Sequence, residues 1–521
     1  MMDDSQLLRL VADVLNRDEK SIGMDSNFFT LGGDSMTAMQ LVRLAKSKRL
    51  SLTVDDVFDN PTVLGLARVC SCKAMADKLP SSQQKENKVP VVAIPDYESL
   101  RGRLSSKLSQ EILRIHPITE LQRMCLFRTR FRYFCVPLPQ TIDRGRLRAA
   151  CQNLIQRHES LRTVFVVDHQ NGMQDEVFQL VLRPFDVEFK ECSGIKDHVM
   201  HCYGDNADAV EPPIDGESVF QAQLATLRDL RTFLILRMSH AQWDGCSLPI
   251  IANDLSAAYN GIELPPTNTF IEHARAAQLV YTEKAFNTWE NVLKGSEMTP
   301  LTYKRLPVIT ETPRAEDSKL GVVHVRRRLP FPPTPLNITR ATMFKTAWAM
   351  ILMRFFTPEE TKKDVVFGQA SDGRGLGIPH EDRIVGTCLN IIPVRVRMAE
   401  STTRLELLHQ VQRQHLDTKP FENVGLGTII SRCTSWPAGT SYGSYVRFQS
   451  YNTSPTCWFD GVPCKGTLHH LPNTLPTVNV AAFPDKEGIT VQIMAPESIM
   501  GEKEADFVLD KLCEIFQELG T

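Results

Sequence analysis

The stretch Met238-Ser-His-Ala-Gln-Trp-Asp-Gly-Cys-Ser-Leu-Pro249 decides how the rest of this chain is read. It follows Thr232-Phe-Leu-Ile-Leu-Arg-Met238, an apolar run suited to a central β-strand. His240 therefore leaves a buried strand for a loop, a position from which a side chain faces a cleft. A neutral imidazole accepts a proton from an attacking amine, and its ordinary pKa lies near working pH. Asp244 stands four residues on, and Gly245 permits a turn that a side chain would block. The H-x-x-x-D spacing alone recurs often as a chance surface pair, so the flanks carry the weight.

Those flanks alternate strand-like and helix-like segments. Leu147 to Arg157 has the periodicity of an amphipathic helix, and Leu161-Arg-Thr-Val-Phe-Val-Val167 reads as a strand. Val365-Val-Phe-Gly368 and Val394 to Met398 read as strands too. The roughly 400 residues after His116 exceed one core, so two α/β lobes are expected. Ala341 to Phe356 is strongly apolar but carries Lys345 and Arg354, and it is shorter than the ~20 residues a bilayer demands. It reads as a core helix.

Ahead of this region, residues 4–72 have the pattern of a small helical unit. Leu7, Leu8, Val11 and Leu15 share one face of a first helix. A second is expected from Ser35 to Lys48, with Met36, Met39, Leu41 and Leu44 inward, and a last one from Pro61 through Ala67. Between the first two lies Phe28-Phe-Thr-Leu-Gly-Gly-Asp-Ser35. Its two glycines free the backbone to turn, and Asp34-Ser35 opens a helix. A hydroxyl there sits beside unpaired N–H groups and the positive end of the helix dipole, a place suited to a phosphodiester. Leu79-Pro-Ser-Ser-Gln-Gln-Lys-Glu-Asn-Lys-Val-Pro90 is polar and proline-punctuated, so it reads as linker.

The segment around Ser35 resembles the phosphopantetheine attachment motif of peptidyl carrier proteins, with Asp56-Val-Phe-Asp-Asn-Pro61 extending the likeness. The resemblance implies a phosphopantetheine arm on Ser35, holding a peptide as a thioester. The 238–249 segment resembles the H-H-x-x-x-D-G motif of condensation domains, with Ser239 where the first histidine usually stands. That departure matches the S-H-x-x-x-D pattern of terminal, cyclising condensation-like domains of fungal nonribosomal peptide synthetases. The resemblance makes His240 the catalytic histidine, as base or as amine-positioning group. It pairs Asp244 with Arg374 in Ala370-Ser-Asp-Gly-Arg-Gly375. Other family marks follow in order: His116-Pro-Ile-Thr-Glu-Leu-Gln122, Arg157-His-Glu-Ser-Leu-Arg-Thr-Val-Phe165, and Ile384-Val-Gly-Thr-Cys-Leu-Asn-Ile-Ile-Pro393 with Asn390. Asp417-Thr-Lys-Pro-Phe-Glu422 fits only in part, since Thr418 stands where the family block has aspartate.

Three other patterns compete and lose. Gly439-Thr-Ser-Tyr-Gly443 fits the nucleophile elbow of hydrolases, but Ser444 to Tyr451 alternates like a strand where the elbow needs a helix. Gly373-Arg-Gly-Leu-Gly377 mimics a phosphate loop, yet Ile378-Pro379 blocks the required helix. His469-His470 lacks a D-G partner, because position 474 is threonine, and reads as a loop or a satisfied polar contact.

With 59 basic and 61 acidic residues the chain carries a net charge of −2, which excludes the concentrated basic surface that nucleic acid or an anionic membrane requires. The 13 cysteines match no zinc spacing and read as buried free thiols of a reducing cytosol. No signal peptide opens the polar N-terminus, so a cytoplasmic location is expected. The expected architecture is an all-α four-helix carrier bundle at 1–72, a linker at 73–110, and two chloramphenicol-acetyltransferase-like α/β lobes in a V, at 111–285 and 286–521. Site residues are His240 as catalytic group, Ser239, Asp244, Gly245, Arg374 and Asn390 as structural ones, and Ser35 for attachment. No metal or nucleotide is implied.

The resemblance implies attack by an amine of the carrier-bound peptide on its own thioester, releasing a cyclic peptide such as a quinazoline-type (fumiquinazoline-like) fungal alkaloid. Its partners would be the peptidyl thioester on the cis carrier, a phosphopantetheinyl transferase and upstream synthetase domains. The chain reads as a fragment of a larger one. An ordinary chain-extending condensation domain and a catalytically silent carrier-docking module are the alternatives.

Overall fold

The computed structural model describes residues 4–76 apart from 16, 34–36, 39, 40, 43, 46, 47 and 49, then 100, 102 and 104–520 apart from 129, 130, 169–175, 188, 208–213, 303, 307–320, 359–362, 450–453, 471–476 and 486. Ser35, Met36, Met39 and the polar stretch 79–90 lie outside the described residues.

Apolar spacing builds the N-terminal bundle. The helix Asp4–Leu15 buries Leu7 and Val11 against Phe28, Phe29, Leu41, Val57 and Leu66. The last helix is Val63–Ala76, starting two residues later than Pro61 and ending nine residues beyond Ala67. Pro61 is held back because its carbonyl accepts the Phe28 N–H (2.7 Å), and Thr62 caps the helix by accepting the Gly65 N–H (3.0 Å). Past residue 72 the helix simply continues to Ala76. The far end of the expected linker is packed as well. Leu100, Leu104 and Leu108, spaced by four, pack with Ile112, Ile115, Val164 and Phe178, so this part buries a small core.

Two large sheets form the remainder. The first orders β14 (Thr467–His470), β2 (Arg132–Leu138), β7 (Thr232–Met238), β6 (Gln221–Leu227) and β5 (Phe189–Ile195). Its neighbours run antiparallel except β5 and β6. The second orders β10 (Asn390–Arg397), β9 (Asp364–Ser371), β11 (Ser444–Phe448), β15 (Val478–Pro484), β16 (Ile489–Pro496) and β8 (Val322–Leu329). A three-stranded sheet joins β1 (Ile112–Pro117), β4 (Glu176–Leu182) and β3 (Thr163–Asp168), and β12 (Thr456–Phe459) with β13 (Val462–Lys465) makes a hairpin.

Each large sheet is covered by helices. Arg144–Arg157 and Ser247–Asn260 pack on the first sheet through Leu147, Leu154, Leu248 and Leu255. Arg340–Phe355 and Glu502–Glu518 pack on the second through Phe344, Trp348, Leu509 and Phe516. The apolar stretch 341–356 is thus a core helix, and among the described residues no helix is long and apolar enough to cross a membrane. β14 follows most of the second sheet in sequence yet pairs with β2 of the first, Thr467 opposite Cys135 and His469 opposite Tyr133. One strand therefore crosses the sequence division at residue 286.

Among the described residues all cysteines are free, and only Cys192 and Cys246 are less than fully buried. Cys457 and Cys464 face each other across the β12–β13 hairpin without a bond.

Candidate active site

β7 ends at Met238, and the chain turns at once through residues 239–246 into the helix Ser247–Asn260. Ser239 fixes the turn at both ends. Its N–H donates to Gln242 Oε1 (3.2 Å), and its hydroxyl oxygen accepts the Ala241 N–H (3.2 Å). A small buried hydroxyl thus holds the loop where the family pattern places a first histidine. Gln122 braces the same turn from another segment, donating to the Ala241 carbonyl and to Gln179 Oε1, both at 3.0 Å.

The His240 ring lines a cavity of about 310 Å³ between the two large sheets. Its Nδ1 lies 2.9 Å from the Trp243 carbonyl oxygen. A carbonyl only accepts, so Nδ1 carries the proton and Nε2 is left with its lone pair. The ring stacks on Trp243, 5.1 Å between centroids at 11°. Burial, then the nearby Arg132 guanidinium, brings its pKa down to about 4. At neutral pH the ring is uncharged.

Asp244 faces away, into protein. Arg374 grips it with two bonds, Nη1 to Oδ2 at 2.9 Å and Nη2 to Oδ1 at 3.1 Å. Oδ1 also accepts from the Ser247 N–H (3.0 Å) and hydroxyl (2.8 Å), and Oδ2 from the N–H groups of Cys388 (3.0 Å) and Leu389 (3.2 Å). Burial alone would raise this carboxyl, but the Arg374 guanidinium and the Ser247 donors outweigh it and hold it below the ordinary range. Arg374 adds a bond to the Ile384 carbonyl (3.1 Å). The approach is close enough that Gly373, at φ +63°, would place a Cβ 1.8 Å from the Cys388 carbonyl oxygen. The pair ties the His240 loop to the second lobe.

Asn390 donates to the carbonyls of Glu422 (2.8 Å) and Val424 (3.1 Å), clamping the loop after residue 418. Glu422 itself takes Lys419 at 2.7 Å and bonds Ser371, while Lys419 also reaches Asp372 at 3.2 Å. Thr418, in the family's aspartate place, is buried and donates to the Gln414 carbonyl (2.8 Å). His158 and Arg157 both bind Asp254 Oδ2, at 2.9 and 2.8 Å, so that motif braces a helix. Gly245 lines the cavity beside Asp244.

The set-aside patterns resolve physically. Ser441 is exposed in a loop that runs into β11, with no helix after it. In the 373–377 loop the N–H groups of Leu376 and Gly377 are taken by the Glu381 carboxylate (3.1 and 3.3 Å), leaving no phosphate nest. His469 lies on β14 and contacts the Thr467 hydroxyl at 2.8 Å, a strand position rather than a loop.

Sequence reasoning missed three cavity residues: Arg132, Lys345 and Tyr445. Lys345 points from the helix Arg340–Phe355 and has no carboxylate within ion-pair reach among the described residues. Burial, then Lys419, lowers its pKa from 10.5 to about 7. Between those pH values the unfolded chain binds more protons, so this amine costs the fold most at low pH and its cost fades as pH rises toward 10.5. Lys345→Met should accordingly raise the unfolding temperature at pH 7 by several degrees, with the gain shrinking steadily up to pH ~10. Thermal scans across that range check it; a constant difference would contradict the burial of a titrating amine.

At the bundle, Gly32 adopts φ +108°, and a Cβ on Gly33 would fall 2.3 Å from the Phe28 ring. Both positions of this turn therefore require glycine. Gly32 also faces the second lobe, where the Arg340 guanidinium lies 3.9 Å from its Cβ direction, and Leu416 packs on the bundle core.

Comparison with known proteins adds family-level matches. Residues 131–510 match the condensation domain family, and residues 5–70 match the phosphopantetheine attachment site. The chain is 40% identical to nonribosomal peptide synthetase chyA of Penicillium rubens, over 98% of this chain and 22% of that protein. It is 29% identical to nonribosomal peptide synthetase benY of Aspergillus terreus, over 99% of this chain and 46% of that protein. The chain thus spans less than half the length of either relative.

A solved structure described as holo T3CT superposes with TM-score 0.70 at 25% identity, covering 83% of this chain and 97% of that one. The condensation domain from Monacolin K polyketide synthase MokA shares the fold at TM-score 0.61 and 15% identity, covering 79% of this chain and 98% of that one. The attachment-site match indicates a covalent 4'-phosphopantetheine, which supplies a thiol for thioester chemistry. The cleft between two α/β lobes, the buried Asp244–Arg374 pair behind His240 and these matches converge: the chain belongs to the condensation domain family, joined to a phosphopantetheine attachment unit as in fungal nonribosomal peptide synthetases.

Proposed function

We propose that this chain cyclises and releases a peptide held as a thioester on its own carrier unit, with Ser35 as attachment residue and His240 as catalytic residue. The layout proposed is carrier 1–72, linker 73–110 and lobes 111–285 and 286–521. The observation that carries the reading is the placement of the bundle. Gly32 abuts Arg340, and the next residues of that helix on the cavity side, Ala341, Phe344 and Lys345, line the cavity holding His240. A carrier docked there in cis supports a donor role for it. The likeness to the structures described as holo T3CT and CT supports the same reading.

In the reaction the amine nitrogen of the peptide attacks the thioester carbonyl carbon. The C–S bond breaks, the sulfur departs as thiol, and the amine loses one proton. Nε2 of His240, the unprotonated nitrogen, accepts a hydrogen bond from the amine and aligns its lone pair with the carbonyl. With a pKa of about 4 the ring is a weak proton holder, so orientation is its main contribution. A phosphopantetheinyl transferase and upstream synthetase domains are the partners this reading requires.

The test loads Ser35 with a linear peptidyl pantetheine and follows products by mass spectrometry. A product one water lighter than the linear acid, absent in Ser35→Ala, is the expected result. Transfer of the peptide onto a second, amine-bearing carrier, with the donor thiol freed and no released product, would instead establish chain extension, and a persistently loaded carrier would establish a silent docking module.

A further inference from the structure

On the side of the first lobe's sheet covered by the helix His198–Ala207, one ligating atom each from Cys135, His198 and His469 lie within 4.8 Å of one another. The three come from separate elements: β2, the start of that helix, and β14. Alternation along the strands puts them together. Thr467 and His469 of β14 face the same side as Tyr133 and Cys135 of β2, while Leu468 and Phe134 turn to the opposite core. His198 is held in place by stacking on Phe233 (4.1 Å, 11°) and meets the His469 ring edge-on (5.6 Å, 85°). Cys202, one helical turn after His198, brings its Sγ to 3.9 Å from Cys135 Sγ.

We propose that Cys135, His198 and His469 bind a divalent zinc-class ion, with Cys202 Sγ the nearest protein group to the fourth position. Two imidazoles and a thiolate form a donor set that suits Zn2+. Tetrahedral zinc, with bonds of about 2.0–2.3 Å, spaces its ligand atoms roughly 3.3–3.8 Å apart. The present spacing therefore needs about an ångström of closure, within reach of side-chain rotation by a helix-terminal histidine and a strand-end histidine. The Cys135–Cys202 separation already lies near that range. Binding displaces one proton from each thiol that becomes a ligand.

The ion would join β14, which follows β11 of the second sheet in the chain, to β2 and to the covering helix. It stabilises the crossing between lobes and takes no part in the chemistry at His240, since these side chains lie on the opposite face of the sheet from the Leu468 that lines the cavity. The site is independent of the proposed reaction.

Cobalt titration of the full chain, stripped with chelator and kept reduced, tests the site. One equivalent of Co2+ should give visible d–d bands of tetrahedral intensity and a near-ultraviolet sulfur-to-cobalt band, both removed by Zn2+. Cys135→Ser should weaken the sulfur band, and Cys135→Ser combined with Cys202→Ser should abolish it. His198→Gln and His469→Asn, whose rings are partly exposed and so tolerant of change, should each weaken binding at least about tenfold. Zn2+ should raise the unfolding temperature of the parent chain by about 5 °C and leave His469→Asn unmoved. Binding below about 0.1 equivalent, or a cobalt spectrum unchanged in both histidine variants, overturns the proposal.

Discussion

Arg374→Ala should cost the condensation unit about 3–5 kcal/mol, because it leaves the Asp244 carboxylate buried without its partner. Four other donors still reach that carboxylate, but they are neutral, and none supplies the compensating charge. The damage would spread in two directions. Asp244 sits in the turn that carries His240, and the Cys388–Leu389 backbone it holds belongs to the other lobe. Arg374→Lys should recover only part of the loss, since an ammonium cannot reproduce the two-pronged grip on Oδ1 and Oδ2. Denaturant unfolding followed by tryptophan fluorescence reads the effect directly, with Trp243 buried next to Asp244. An unchanged midpoint for Arg374→Ala would refute a structural role for the pair.

His240→Ala should lower the release rate by about 10²–10⁴-fold, the range that a positioned acid–base or hydrogen-bonding side chain contributes. The pH profile separates its two roles. A ring with a pKa of about 4 stays neutral across the working range, so the wild-type rate should show no loss assignable to His240 as pH falls from 8 to about 5. A limb near pH 6.5 that disappears in His240→Ala would instead make it a proton-holding base. The same shift bears on stability. The unfolded chain protonates this histidine first as pH drops below 6.5, so its contribution to the fold is lost between about pH 6.5 and about pH 4.

The lobes and the His240 centre were legible because their signals are local. An apolar run placed Thr232–Met238, a period-3.6 pattern placed a helix at Leu147–Arg157, and a strand leading into a glycine turn placed His240. The Asp244–Arg374 contact spans 130 residues and came only from family likeness, since no spacing rule links an aspartate to an arginine that far away. Lys345 was visible as a charge inside an apolar helix, yet its meaning depends on the cavity beside it. β14 was missed for a related reason. Four residues, Thr467–His470, carry too little pattern to reveal a strand whose partner lies more than 300 positions earlier. The His469 pair looked idle in sequence because Cys135 and His198 reach it only through that crossing.

The exchanged strand also sets an order of events during synthesis. β2, β5, β6 and β7 are complete once Met238 has been made, but the outer edge of β2 stays open until Thr467–His470 appear. At 5–20 residues per second that wait is on the order of tens of seconds. Throughout it, an apolar strand presents unpaired N–H and C=O groups to whatever meets it on the ribosome. A gene cut after the first half would yield the same open edge permanently, so the two lobes are best regarded as one translational unit, closed by its late-arriving strand.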